Sequence, residues 1–203
     1  MLLLILGLVL FLGTHAFTTL RARRAALVNQ IGENRYKLGY TALSLLGLVL
    51  IGVGFHDYRL EGMIPVWNPP VWTRHLALTL VLLAFISLAA TYIPSHIRAK
   101  AKHPMLLAVK IWATAHLLAN GDLGSMLLFG GFLAWAVSAR ISLKRRERAA
   151  GVPAGGRAAV DVPAGWRNDV LVVLIGTAAW FIFARYLHYP VIGVPVWPGS
   201  MGA

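Results

Sequence analysis

Seven histidines and no cysteine define the chemistry open to this chain. Without thiols there are no disulfides, no iron–sulfur clusters and no thiolate zinc sites. A bound metal has to rest on imidazole, carboxylate or a cofactor. His56, His75, His96, His103 and His188 fall near the ends of apolar runs, where an imidazole reaches water or headgroups. His15 and His116 fall inside such runs. His15 precedes the first arginine, Arg21, by six residues, and so lies about 9 Å inside its run. His116 follows His103 by 13 residues, about 20 Å along its helix. Imidazole is too short to snorkel from either depth, and ionisable groups inside lipid mark functional positions. Neutral imidazole is a good iron ligand, and two histidines on two helices are the minimum for a six-coordinate haem. The same residues leave an alternative open, an interhelical hydrogen bond to a Ser or Thr on a neighbour.

The stretch from His103 to Asp122, HPMLLAVKIWATAHLLANGD, carries the second of these histidines. Pro104 suits a first helical turn, where its missing N–H costs nothing. His103 and His116 lie roughly 220° apart around the helix, so they cannot share one small ion. His116 shares its face with Val109, Trp112, Ala113 and Asn120, a stripe that suits a flat macrocycle or ordinary helix packing. Lys110 has a stem long enough to snorkel, or its ammonium meets a buried anion such as a haem propionate. Asn120-Gly121-Asp122 reads as a tight turn, with Gly at a helix stop and Asp placed to cap the next helix. There is no C-x-x-C-H, so any haem is held without covalent attachment.

The elements that position these residues are membrane helices. Hydrophobic residues make up 58% of the 203 and charged ones only 13%, half the roughly 25% of a soluble domain. Six segments approach the length of about 20 apolar residues needed to span a bilayer: 2–20, 36–55, 75–93, 104–119, 123–141 and 170–187. The charge of +12 does not point to nucleic acid, because fifteen of the 19 lysines and arginines sit in three of the connecting loops or, as Lys37 and Arg140, at the span ends that border them. That bias places those loops in the cytoplasm and both termini outside. Span one lacks a basic leader, so it reads as an outward anchor and not as a cleaved signal peptide. Residues 142–168 read as a cytoplasmic linker, with Gly151–Gly165 as its flexible part. The stretch around Pro65, Trp67, Pro69, Pro70 and Trp72 reads as an outer interfacial loop.

The sequence closely resembles the NnrU family of bacterial membrane proteins. The resemblance is carried by GTHAF in span one, GENRYKLGYTALSLLGLVL entering span two, PVWNPPVWTRHL entering span three, and HPMLLAVKIWATAHLLANGDL. The family's name comes from an association with nitrite and nitric oxide reduction in denitrifying bacteria. The chain is also distantly similar to 15-cis-zeta-carotene isomerase, a haem b membrane enzyme, in a histidine late in span one and in an HP-x(11)-H pattern. That similarity implies His15 and His116 as haem ligands; it implies nothing about substrate. The HP at a basic helix start also resembles membrane methyltransferases of the isoprenylcysteine type, but Met105-Leu106-Leu107-Ala108 departs from their pattern.

The expectation is therefore an all-α integral membrane bundle of six transmembrane helices, forming one domain over 1–203, in the bacterial inner membrane. Haem b would be held by His15 and His116, with Lys110 or Arg74 pairing its propionates. The resemblance implies a role in nitrogen-oxide reduction beside nitric oxide reductase or another membrane redox partner. The alternatives are a non-catalytic partner or maturation factor of that reductase, and a haem-dependent isomerase-like enzyme. A proton-coupled transporter is disfavoured, since the spans lack paired acids.

Overall fold

The computed structural model describes residues 1–153, 155 and 165–197, and among them the architecture is all-α. Most of the linker expected at Gly151–Gly165 lies outside the described residues. In chain order the helices are α1 (Leu2–Phe17), α2 (Arg21–Ile31), α3 (Glu33–Leu60), α4 (Val71–Ala89), α5 (His96–Ala101), α6 (Pro104–Ala119), α7 (Leu123–Ala149) and α8 (Trp166–Ile182). A π-helical turn, Phe183–Leu187, then leads into the short α9 (His188–Ile192).

Four helical segments are long and apolar enough to cross a membrane: α3, α4, α7 and the run Trp166–Ile192. A fifth is reached if α1 and α2, bent by 91° at their junction, count as one. The fourth expected span, 104–119, is α6, a shorter apolar helix of 16 residues. The segment after span one, read from sequence as a basic loop, is helical. Its Arg and Ala residues are strong helix formers, and it stops at Gly32, whose φ of +85° only glycine takes at low cost. Helix α7 runs past the predicted end of span five to Ala149, which shortens the linker from its amino-terminal side.

The chain divides into two compact units, Met1–Arg74 with Ala113–Leu143, and His75–Trp112 with Lys144–Ala203. In the first unit α1 packs antiparallel on α3. One face of α3 does this, at Tyr36, Tyr40, Ser44, Gly47, Ile51, Gly54 and Tyr58, a run of three- and four-residue steps. A Cβ on Gly7 would sit 2.6 Å from the Ile51 amide nitrogen, and one on Gly47 2.8 Å from that of Phe11. Small residues thus let the two backbones touch, the usual device where lipid supplies no hydrophobic drive.

The end of this unit where residues 58–67 meet residues 121–125 is tied by hydrogen bonds. The Ile64 amide donates to the Tyr58 hydroxyl (2.9 Å), and Tyr58 is 2% exposed. The Gly121 carbonyl accepts from the amides of Val66 (2.8 Å) and Trp67 (3.0 Å), and the Leu123 amide donates to the Ile64 carbonyl (2.9 Å). Gly121 is therefore required by the close approach of the Trp67 carbonyl, on which a Cβ would clash. Asp122 caps α7, with Oδ1 accepting from the Ser125 amide at 2.8 Å, and it is 8% exposed. Asp122→Ala should cost about 1–2 kcal/mol, read as a lower midpoint of thermal unfolding in detergent.

In the second unit a Cβ on Gly176 of α8 would meet the Ile86 Cα of α4 at 2.6 Å. Lower down, the Ser87 hydroxyl donates to the Pro104 carbonyl (2.8 Å) in a buried contact. The basic stretch around α5 is held by two acids. Asp169 accepts from His96 Nδ1 (2.6 Å) and from the Ile97 amide (3.1 Å). Glu147 Oε1 lies 2.7 Å from His103 Nε2 and accepts from the Gly155 amide (3.0 Å).

Candidate functional site

His15 stands in the last turn of α1, in the sequence Gly-Thr-His-Ala-Phe-Thr-Thr. The hydroxyls around it are satisfied on their own helix. Thr14 donates to the Leu10 carbonyl (2.6 Å) and Thr18 to the His15 carbonyl (2.7 Å). The His15 ring does the same, with Nδ1 2.8 Å from the Phe11 carbonyl. A carbonyl only accepts, so Nδ1 carries the proton, and in the neutral ring Nε2 keeps its lone pair. The interhelical hydrogen bond weighed from sequence is replaced by this intrahelical one.

Aromatic rings enclose that imidazole. Phe11 stacks on it at 4.2 Å, Tyr40 of α3 lies 5.4 Å away, and Trp135 of α7 meets it edge-on at 5.7 Å. Phe132 continues the wall against Phe11 at 5.6 Å. His116 lies in the last turn of α6, where Asn120 caps the helix by donating both its backbone and its side-chain N–H to the His116 carbonyl (2.9 and 2.8 Å). Its ring stacks on Phe129 of α7 at 4.5 Å. Both histidines are half-buried, and both rest on α7. Their ring partners there, Phe129 and Trp135, are six residues apart, about 9 Å along the axis. The two imidazoles therefore approach α7 from different depths.

Two further residues were predicted for the site. Arg74 is exposed in the first turn of α4, and Lys110 belongs to the second unit, where it is half-buried. What sequence reasoning missed is the company of His15. Tyr36 and Tyr40 precede Ser44 at four-residue intervals on the packing face of α3, a pattern visible in the sequence. Trp135 falls inside the expected span 123–141, where the sequence reading gave it no role.

Among the described residues no group of three or more His, Asp or Glu converges. A bare transition-metal ion would find no protein cage there, whereas a haem iron needs only one or two axial side chains. An Nδ1–H bonded to a backbone carbonyl is how a ligating histidine is commonly oriented. His15 meets that condition, so this residue fits the role of an axial haem ligand.

The family model described as NnrU protein matches residues 3–196. The chain belongs to the NnrU family. The match takes in every helix of both units, so neither unit is an addition to the NnrU architecture. No curated protein and no solved structure matches the chain. The likeness of this NnrU chain to the carotene isomerase accordingly rests on the histidine pattern alone.

Proposed function

We propose that this NnrU-family protein is a six-span protein of the bacterial inner membrane, with both termini outside, that binds haem b through His15 and His116 and supports nitrogen-oxide reduction. The observation that carries the reading is the His15 hydrogen bond to Phe11, which leaves Nε2 as the ring nitrogen with its lone pair available to a metal. The span count combines the long apolar segments with the bent α1–α2 pair and with α6. The orientation follows from the basic loops. Haem would supply one-electron and gas-binding chemistry at its iron. The chain's own contribution is to fix the His15 tautomer, wall the site with Phe11, Tyr40 and Trp135, and keep it dry.

A second reading is favoured by the same rings. Stacked and edge-on contacts of this kind stabilise packing in their own right, so His15 and His116 would then be packing groups in a non-catalytic partner or maturation factor of nitric oxide reductase. The visible spectrum separates the two. Protein purified in detergent from haem-replete cells should show a reduced α-band that His15→Ala and His116→Ala each abolish, with the elution volume of the folded protein retained. A colourless protein, or a band indifferent to both substitutions, would sink the haem reading and leave the second.

A further inference from the structure

The cytoplasmic side of the first unit holds donors with nothing to donate to. Tyr36 is 8% exposed, and its hydroxyl has no hydrogen-bond partner. The indole Nε1 of Trp135 is buried and likewise unpartnered. The two belong to one chain of contacts. Tyr36 lies 6.3 Å from Tyr40, Tyr40 5.4 Å from His15, and His15 5.7 Å from Trp135. The guanidinium of Arg24 lies over the Tyr36 ring at 5.1 Å. Nearly every buried polar group in a protein is paired, and lipid offers no water to do it. Indole and guanidinium are donors only, so the missing partner is an acceptor.

Its charge and position follow from the same residues. The chain carries Arg21, Arg23, Arg24, Arg35 and Lys37 here against one acid, Glu33, and Glu33 is already paired with Lys37 at 2.8 Å. The 91° bend between α1 and α2 brings the basic helix off the apolar axis of α1, at the level where headgroups lie. Below Arg24 and Tyr36 the wall turns apolar and aromatic, through Tyr40 and Phe11. We infer that this end of the first unit binds the acidic oxygen group, a carboxylate or phosphate, of a membrane-embedded amphiphile. Arg24, the Tyr36 hydroxyl and the Trp135 N–H supply the donors, and the aromatic rings line the apolar body. Charge-assisted hydrogen bonds of this kind are the strong ones. The inference stands without the haem reading. If haem is bound at His15, a propionate is the acid; if not, a fatty acid or an anionic lipid is.

The test uses the full chain in detergent or nanodiscs with three matched pairs: haemin against its dimethyl ester, oleate against oleyl alcohol, and phosphatidylglycerol against phosphatidylcholine. Binding is read from the ligand-dependent shift in thermal unfolding. In at least one pair the acid should bind about tenfold more tightly than its neutral partner. The pair that discriminates names the source of the acid. Tyr36→Phe, Trp135→Phe and Arg24→Gln should each erode that preference, while Tyr92→Phe, at an exposed position of the second unit, leaves it intact. Equal binding within all three pairs overturns the inference, and so does a preference that survives the three substitutions.

Discussion

Gly54→Ala and Gly7→Ala are expected to be strongly damaging single-methyl changes at the α1–α3 contact. A Cβ on Gly54 would lie 2.6 Å from the Leu3 carbonyl carbon and 2.8 Å from the Leu4 Cα, and would clash with the Leu4 amide nitrogen. One on Gly7 would lie 2.6 Å from the Ile51 amide nitrogen and 2.9 Å from the Gly47 carbonyl oxygen. These are backbone atoms, so no rotamer change relieves the overlap. The helices must separate, and Leu4, fully buried at the contact, loses its neighbours. Overpacking of this kind costs about 1–3 kcal/mol and sometimes more. The expected result is a lower unfolding midpoint and a smaller monodisperse fraction on size-exclusion chromatography. Gly52→Ala is the internal control. It lies on the same helix with nothing within 4 Å of the added methyl, and alanine is the better helix former by about 1 kcal/mol. If Gly54→Ala behaves like Gly52→Ala, the close α1–α3 contact is absent in the membrane.

The contrast between these two glycines shows which part of the fold the sequence makes legible. Length and apolarity locate the helices, because a bilayer demands both whatever the packing. The Asp122 cap is legible too, since capping is decided by a residue and its third neighbour. Which face of α3 is buried is harder to read, because lipid-facing and protein-facing residues are both apolar and the usual alternation fades. The stripe from Tyr36 to Tyr58 stands out only through its glycines and hydroxyl-bearing residues, and those carry meaning once α1 is known to lie against them. Helix α2 was hidden by its charge. Its three arginines, Arg21, Arg23 and Arg24, signal topology in the sequence, yet Arg and Ala also favour helix, and Gly32 ends one.

The candidate site divides along the same line. Depth alone singles out His15 and His116, since cost in lipid depends on position along one helix. Their partners are tertiary facts. Nothing in the spacing of Phe11, Tyr40 and Trp135 announces that three helices bring them around one imidazole. Lys110 and Arg74 were chosen for their charge, and a cation that the structure sets beside this cluster is Arg24, from the bent helix that sequence reading treated as loop.

His103 is the clearest case of a residue whose meaning lies in a distant partner. From sequence it reads as an interfacial histidine at a helix start. In the second unit its ring nitrogen stands 2.7 Å from Glu147, with the two side chains 17% and 12% exposed. Glu147 is the acid in the strongly basic end of α7, and its Oε1 also receives the Gly155 amide. Removing one member of a buried pair strands the other, which costs about 3–5 kcal/mol, whereas replacing both with apolar residues of similar size can be neutral. Glu147→Leu and His103→Leu should therefore each lower the unfolding midpoint strongly. The double substitution should recover much of the loss, giving a coupling of about 0.5–3 kcal/mol in a double-mutant cycle. Additive losses would mean that the two side chains act independently, with Glu147 serving mainly the Gly155 amide and the neighbouring arginines. A recovered double variant would show that the pair joins the start of α6 to the end of α7. That would explain why a histidine precedes the helix-starting proline without asking it to bind anything.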